Sequence, residues 1–330
     1  MSAGITMLRP DPWYRRLSGE GASVIVVILA VLFAIFIATQ NDALTQSVLT
    51  DILNNSLPLA LAAAGGTLVV LTRGFDLSVA GVVSLTNVLV AVYAGDGPLG
   101  ALGGLAIAVG VGGLVGAING TLVAYLNLQS IALTLSSMIV CSGAALLVLD
   151  APGGSVSDFM VYDLTDQVGG LIPAALAIAL VVYLAWSLLR RTNWGVGLYA
   201  IGADETAAVL AGVPVGRTKV IAYTLAGVCY GLAGFMLTAL TATGTPNIGD
   251  PYLLLVFAAI ALGGTSFSGG RGGVAGSMLG ALTLTLLQKV LFSTGVSSFY
   301  TGIFQGAVMI IAVVIAAVSA RFSSKGEGHA

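Results

Sequence analysis

Long apolar runs separated by short charged stretches dominate the chain. A transmembrane helix needs about 20 predominantly apolar residues, and the charge-free runs fall close to that length. They predict an all-α, polytopic membrane protein of about ten transmembrane helices. The predicted segments are Gly21–Asn41, Ile52–Thr72, Leu77–Gly95, Leu99–Ile118, Gln129–Leu149, Gly170–Leu189, Val220–Leu240, Tyr252–Gly263, Gly273–Phe292 and Phe299–Ala320.

Three places depart from this regular pattern. The run over 97–149 is too long for one helix, and Asn119–Gly120 together with Asn127 predicts a break inside it. Gly74 predicts a second break, and the region Arg73–Gly81 is either a broken helix or an ordinary cytoplasmic turn with Asp76 as an N-cap. The eighth segment, Tyr252–Gly263, is short and continues into a glycine-rich turn. Whether these last two regions cross the membrane fully is left open by the sequence.

The basic residues sort strongly to one side of the predicted membrane. If the N-terminus is cytoplasmic and the chain crosses ten times, eleven of the 12 Lys and Arg residues fall on the cytoplasmic side, and Lys289 alone falls outside. Both termini are therefore predicted to be cytoplasmic. The predicted organisation is a cytoplasmic segment at 1–20, a membrane domain at 21–320 with a cytoplasmic loop at 190–219, and a cytoplasmic tail at 321–330.

Composition supports a lipid-facing surface and argues against several kinds of site. Charged residues make up 8% of the 330 residues, against roughly a quarter in a soluble domain. The 45 glycines are expected mainly where helix backbones approach closely. Cys141 and Cys229 lie inside apolar runs, and the single histidine, His329, is next to last. No metal cluster or histidine base is therefore predicted.

Three segments carry features beyond apolar length. Asp76 follows the predicted break at Gly74 and can cap a new helix. The segment 203–214 predicts a short amphipathic helix that begins after Asp204 and stops at Gly212, and its apolar face needs a cover. That cover is either the membrane surface or another protein. The glycine-rich stretch Leu262–Gly273 predicts a tight turn, and since no Walker motif occurs in the chain, no ATP site is predicted.

Uncharged polar residues lie within several predicted helices. They either bond neighbouring helices or line a path for an uncharged, hydroxyl-rich solute. Deep ionisable groups are almost absent, with Asp76 the ambiguous case, which argues against a proton- or sodium-coupled carrier. The candidate pathway residues are Asn54, Asn55, Asp76, Ser78, Asn87, Thr134 and Ser136.

Taken together, the three segments resemble the ribose-type (monosaccharide) ABC importer permeases, the branch that includes the ribose, xylose, galactose and autoinducer-2 permeases. Arg73–Ala80 (RGFDLSVA) resembles that family's glycine-glycine-x-Asp-Leu-Ser-Val-glycine signature, with Arg73 and Ala80 in place of its first and last glycines. Tyr199–Val213 is similar to its coupling loop, and Leu262–Gly270 (LGGTSFSGG) matches its late signature. The resemblance runs from about residue 54 to residue 320.

The resemblance implies a transport subunit that is not itself an enzyme. Such a subunit translocates a monosaccharide or similar small polar solute across the bacterial inner (plasma) membrane, as part of a binding-protein-dependent importer. A second permease, identical or different, completes the pathway, and a periplasmic solute-binding protein delivers the solute. A cytoplasmic ATP-binding subunit holds ATP and Mg, so this chain is expected to hold no cofactor, and no nucleic acid is involved.

The resemblance also assigns residues. It implies that a coupling helix docks on the ATP-binding subunit through Asp204, Glu205, Ala207, Ala208, Leu210, Gly212, Val213 and Pro214. It implies that the late signature forms a turn through Gly263, Gly264, Thr265, Ser266, Gly269 and Gly270.

Two alternative functions are kept. An ABC permease for a nucleoside or an amino acid would have the same architecture and differ only in the residues that line its pathway. An ion-coupled secondary carrier would transport without a partner and would need an essential deep carboxylate. A membrane-embedded enzyme is less well supported, because no paired carboxylates, His or Cys lie together at one depth.

Overall fold

The computed structural model describes residues 20–168, 170, 172–295 and the positions 300, 302–303, 306–307 and 310. In these residues the chain forms eleven α-helices, a π-helix at Phe159–Asp163, and one hairpin of strands β1 (Gln167–Val168) and β2 (Ile172–Pro173). The prediction of a helical, polytopic membrane protein is confirmed. The helices are α1 (Glu20–Thr39), α2 (Gln46–Leu71), α3 (Val79–Tyr93), α4 (Gly97–Tyr125), α5 (Ser130–Val148), α6 (Ala174–Leu189), α7 (Asn193–Ala203), α8 (Glu205–Leu210), α9 (Val215–Thr241), α10 (Tyr252–Leu262) and α11 (Val274–Ser293).

Helix length separates full crossings from partial ones. Five helices, α2, α4, α5, α9 and α11, are long and apolar enough to cross a membrane alone. The pair α6 and α7 gives a sixth candidate that bends by 79°, and α1, α3 and α10 contribute shorter apolar stretches. The count of ten crossings therefore stays a prediction. The predicted terminal segments 1–20 and 321–330, and most of Phe299–Ala320, lie outside the described residues.

Of the residues predicted to break this run, Asn119–Gly120 does not do so, because α4 continues without interruption to Tyr125. Asn119 is fully buried and accepts a hydrogen bond from Ser137 on α5, while Gly120 lies against the backbone of α9. Tertiary contacts therefore use both residues inside a helix. The break comes later, where Asn127 takes a left-handed conformation with φ 52°.

Helix α2 occupies the centre of the fold. Of its membrane-spanning window, 89% is buried inside the chain, and it packs against α9, α11, α10, α6 and α7. Helix α5 is peripheral, since only 17% of its window is buried. The ends of α2 consequently lie among other segments of the chain, whereas α5 faces lipid or another subunit.

Glycines set the closest helix contact, between α4 and α9. A Cβ added at Gly112 would lie 2.1 Å from the carbonyl oxygen of Gly227, and one added at Gly231 would lie 2.0 Å from that of Ala108. The two backbones therefore touch directly. Without a hydrophobic effect between helices in lipid, such close approach supplies much of the packing energy.

The loops sort to two ends of the molecule. At one end, here called the basic end, the loop after α2 meets the α7–α8 loop and the turn after α10. Arg73 and Arg271 lie in two of these loops, and Arg190 lies in the turn between α6 and α7. At the other, acidic end, Gly153 and Gly244 form an antiparallel bridge and Lys289 pairs with Asp51. This is the alternation that the predicted topology requires. The loops of the acidic end carry Asp42, Asp96, Asp150, Asp158, Asp163 and Asp166.

The predicted eighth segment, α10, is preceded by a non-helical stretch at 243–251 that consists mostly of turns. The chain at 243–251 runs along α3 from Ala91, beside Gly244, to Ala80, beside Gly249, a distance of about 16 Å at 1.5 Å per residue. Helix α10 then adds 11 residues, or about 16 Å. The two together have about the length of the hydrocarbon thickness, about 30 Å, so the short apolar run of α10 is compatible with the predicted crossing.

A pair of α4 glycines tests the importance of backbone contact. We expect Gly112→Ala to destabilise the protein by about 1–3 kcal/mol, because the new methyl group must push α9 away. The measurement is the thermal unfolding midpoint in detergent. Gly110→Ala is the matched control, since a Cβ at Gly110 meets no described atom within 4 Å. Equal midpoints for the two variants would contradict the packing role.

Candidate functional site

Helix α2 ends in a Schellman motif whose left-handed residue is Arg73. The Arg73 amide donates to the carbonyl oxygen of Val70 at 3.0 Å, and the Gly74 amide donates to that of Val69 at 3.1 Å. Arg73 has φ 62°, a conformation that glycine adopts readily and an arginine adopts at a cost of about 1–2 kcal/mol. The glycine of the family signature would suit this position.

The loop between α2 and α3 contains a buried polar cluster. Asp76 is 2% exposed, and its Oδ1 accepts hydrogen bonds from the amide (3.0 Å) and hydroxyl (2.6 Å) of Ser78. Thr134 of α5 accepts from the amide of Leu77 at 2.9 Å. The break near residue 74 is thus present. Asp76 forms a local turn with Ser78 there, and its Oδ2 has no partner among the described residues.

The structure brings together three of the seven candidate pathway residues: Asp76, Ser78 and Thr134. Asn54 lies towards the acidic end of α2, where it donates to the carbonyl oxygen of Thr165 at 2.6 Å. Asn55 is exposed and donates to Asp51. These two asparagines therefore stand apart from the cluster, and their predicted place in a pathway stays a prediction.

The remaining two candidates lie elsewhere. Asn87 is fully buried in α3, where it donates to the Thr238 hydroxyl (2.9 Å) and accepts from the amide of Thr245 (2.6 Å). It holds the deep segment 243–251 against α3. Ser136 is exposed on α5 and donates to the carbonyl oxygen of Ala132 in its own helix at 2.9 Å.

The predicted short helix near the basic end exists as α8. The Asp204 side chain accepts from the amide of Ala207 at 3.0 Å and so caps its N-terminus, and Gly212, with φ 79°, follows its C-terminus. Ala208 is buried, whereas Leu210 is 85% exposed. Val213 and Pro214 lead directly into α9, which begins at Val215. An exposed leucine at the tip of a rigid, capped helix is suited to docking.

Glu205 has a partner within the chain, which the sequence pattern did not reveal. Its carboxylate accepts hydrogen bonds from Lys219 of α9 at 2.8 and 2.9 Å. An ion pair between partly exposed side chains contributes little to the stability of the fold. Its main effect here is to fix the orientation of α8 relative to α9.

Helix α7 was not predicted from the sequence. Thr192 caps it by accepting from the amide of Gly195 at 3.2 Å, and Leu198 and Ile201 on its buried face are fully inaccessible. Its glycines lower helix propensity, so the segment lacks the usual helical pattern. One of them is required by packing, since a Cβ at Gly202 would lie 2.0 Å from the carbonyl oxygen of Leu71.

The late glycine signature forms the turn between α10 and α11, as predicted. Gly264, with φ 77°, closes α10 in a second Schellman motif. Gly263 packs on the backbone of Gly276 in α11, because neither residue has a side chain to hold the two helices apart. The two helices are therefore in direct backbone contact where the turn joins them.

Hydrogen bonds fasten this turn to the end of α2. The hydroxyl of Thr265 lies 3.3 Å from that of Ser277, which accepts from Thr67 of α2 at 2.7 Å. The amide of Gly270 donates to the carbonyl oxygen of Leu71 at 3.1 Å. The remaining signature residues lie between these two points of attachment and include Ser266 and Gly269.

The side chain of Tyr199 links α7 to both of its neighbours. Its hydroxyl donates to the carbonyl oxygen of Gly272 in the turn at 2.9 Å. Its ring lies against that of Trp186 in α6, with the ring centroids 6.5 Å apart. The position of α7 is therefore fixed by contacts on two sides.

The guanidinium of Arg73 joins all three signature segments. Its Nε donates to the carbonyl oxygens of Gly202 (2.8 Å) and Ser268 (2.9 Å), and its Nη2 donates to that of Ala203 (2.7 Å). Gly202 and Ala203 end α7, whose carbonyls have no further helical partners and attract positive charge. We call Arg73, Gly202, Ala203 and Ser268 the basic-end junction. It connects the residues before α8 to the loop that contains Asp76.

One cavity of about 460 Å³ lies between α2, α4, α6 and α9 towards the acidic end. Its walls are apolar side chains, among them Leu61, Leu102, Phe159 and Phe235. A hydroxyl-rich solute would find no hydrogen-bonding partner there, so this cavity is not a candidate for the solute site.

Comparisons with known proteins agree with the resemblance of the motifs. The family model described as "Branched-chain amino acid transport system / permease component" matches residues 48–313. The ribose import permease protein RbsC of Escherichia coli (strain K12) is 34% identical over 298 residues, covering 88% of this chain and 92% of that protein. No solved structure matches the chain.

Two further relatives from Escherichia coli (strain K12) are named for other sugars. The galactose/methyl galactoside import permease protein MglC is 31% identical over 310 residues, covering 88% of this chain and 92% of that protein. The D-allose transport system permease protein AlsC is 30% identical over 293 residues, covering 87% of this chain and 89% of that protein.

Substitution of Arg73 tests the junction. We expect Arg73→Ala to lower stability by about 1–2 kcal/mol, because three hydrogen bonds to carbonyl oxygens are lost. Arg73→Gly should cost less, since glycine relieves the left-handed backbone strain. Thermal unfolding in detergent measures both variants. Arg271→Ala, at an exposed arginine of the neighbouring turn, is the control, and a loss in it equal to that of Arg73→Ala would contradict the role of the junction.

Proposed function

We propose that this chain conducts a ribose-like monosaccharide across the bacterial inner membrane. The premise is that the chain belongs to the ABC importer permease family that includes the ribose, galactose and allose permeases. The names of the relatives support the solute class. The observation that carries the proposal is α8, a capped helix that presents an uncovered leucine at the basic end.

The proposed importer divides its tasks between separate chains. This chain and a second permease, identical or different, form the pathway. A periplasmic binding protein delivers the monosaccharide to the acidic end, and a cytoplasmic subunit with ATP and Mg binds at the basic end. The missing Walker motif in this sequence supports the placement of ATP hydrolysis on a partner.

Helix α8 is the proposed contact with the ATP-binding subunit. Its N-cap at Asp204, its Schellman stop at Gly212 and its ion pair with Lys219 make it a rigid unit. Rigidity matters because a flexible helix would absorb a displacement instead of passing it on. The exposed Leu210 is the proposed anchor in an apolar groove of the partner.

The basic-end junction gives this displacement a route. Movement of α8 pulls on the end of α7, whose carbonyl oxygens are bonded to Arg73. Arg73 is three residues from Asp76, in a loop that α5 holds through Thr134. We propose that closure of the ATP-binding subunits reaches the membrane interior through these contacts.

An amino acid is the second solute class to consider, because the family description names branched-chain amino acids. The relatives reported above are named for sugars, which favours the monosaccharide. To distinguish the two classes, unlabelled ribose and unlabelled leucine are compared as competitors of the uptake of the radiolabelled monosaccharide.

Reconstitution in proteoliposomes tests the proposed function. The chain is purified with its neighbouring ATP-binding subunit and supplied with binding protein and radiolabelled ribose or a related monosaccharide. We expect uptake that requires ATP and the binding protein. Uptake by this chain alone, driven by an ion gradient, would instead establish a secondary carrier.

Substitution at α8 tests the docking surface. We expect Leu210→Glu to reduce solute-stimulated ATP hydrolysis by about tenfold or more, since a carboxylate is costly in an apolar groove. Membrane insertion and thermal stability should change little, because the side chain is exposed. Val196→Glu, at another exposed apolar residue of the basic end, is the control. Normal stimulation in Leu210→Glu would rule out this helix as the contact.

A further inference from the structure

The segment 243–251 carries polar residues deep into the membrane region. Three contacts fix its depth along α3: Gly244 lies beside Ala91, the amide of Thr245 donates to Asn87, and the amide of Gly249 donates to Ser84 at 2.9 Å. A Cβ at Gly249 would lie 2.0 Å from the carbonyl oxygen of Ala80. From there α10 still has 11 residues to run before the basic end, which is about 16 Å of rise. Residues 247–250 therefore lie near mid-membrane depth.

Two side chains of this deep segment point away from α3. Asn247 and Asp250 are exposed, whereas Gly249 between them is buried against α3. The amide of Asp250 donates to the carbonyl oxygen of Asn247 at 3.2 Å, so one turn of the chain brings these two exposed residues close together. A carboxylate and a carboxamide are thus presented together on one exposed face.

Lipid is an unfavourable neighbour for this face. Non-helical backbone at membrane depth is tolerated where it is buried in protein or lines a water-filled cavity. An ionisable side chain at that depth faces a bundle interior or an aqueous path, because its charge is costly in hydrocarbon. The face of Asn247 and Asp250 therefore borders water, protein or both in the assembled transporter.

We infer that Asn247 and Asp250 line the aqueous pathway and bind the hydroxyl groups of the transported monosaccharide. The inference rests on the proposed function and adds the site within it. A carboxylate accepts hydrogen bonds from two neighbouring sugar hydroxyls, and a carboxamide both donates and accepts. The sequence pattern did not reveal this site, because the segment falls between two predicted membrane segments and outside the three family motifs.

Cysteine accessibility in the complete transporter tests the aqueous position. Cys141 and Cys229 are first replaced by alanine, and Asn247→Cys, Asp250→Cys and Val140→Cys are then made separately. The probe is a membrane-impermeant methanethiosulfonate, which reacts with the thiolate. We expect the two pathway cysteines to react at least about tenfold faster than the cysteine at 140, which lies exposed in the middle of α5, where lipid suppresses thiolate formation.

Protection by sugar tests the binding role. When the ATP-binding subunit and the binding protein are present, ribose should slow the modification of both pathway cysteines by the methanethiosulfonate. In parallel, we expect Asp250→Ala and Asn247→Ala to lower monosaccharide uptake by about ten- to a hundredfold with normal assembly. Asp250→Asn should retain more uptake than Asp250→Ala. Asp42→Ala, at an exposed aspartate of the acidic end, is the control.

The outcomes separate this site from the proposed function. No modification at 247 and 250 would place them in a dry interface between copies and overturn the inference. Modification without protection, where the wild-type transporter imports monosaccharide normally, would overturn the binding role and leave the function intact. Modification without protection, in a wild-type transporter that imports no monosaccharide, would overturn the solute class together with the site.

Discussion

The cost of leaving a backbone amide or carbonyl unpaired in a bilayer governs this structure. Specific hydrogen bonds close the described interruptions between its helices. Schellman motifs end α2, α8 and α10. The loop after α2 is held by Thr134, and the deep segment before α10 is held by Asn87 and Ser84. Non-helical chain can therefore lie inside the membrane region, where an importer needs polar groups.

Glycine makes these arrangements compatible with tight packing. Contact between α4 and α9 runs through Gly112 and Gly227, and contact between α10 and α11 runs through Gly263 and Gly276. Side chains at these positions would separate the helices. The same property lets the end of α7 reach the end of α2, since Gly202 has no Cβ to meet the carbonyl oxygen of Leu71.

The basic-end junction and the deep segment 243–251 are held in the structure in different ways. The basic-end junction ties Arg73 to carbonyl oxygens of α7 and of the glycine turn, so hydrogen bonds join three segments that are distant in the chain. The deep segment touches mainly α3, along its buried side. If α8 is the docking helix, as proposed, a displacement that enters there meets the basic-end junction before it reaches the deep segment.

The helical class and the caps of α8 could be predicted from the sequence, because apolar run length and turn residues act locally. Three motifs were also enough to identify the family. Helix packing, by contrast, carries α4 through Asn119, pairs Glu205 with Lys219, and lets Arg73 bond residues about 130 positions away. The depth of Asp250 in the membrane could likewise not be predicted from the sequence. Such contacts depend on how helices pack. Many of the packing positions are glycines, and because glycine has no side chain, the sequence pattern does not show which helices meet there.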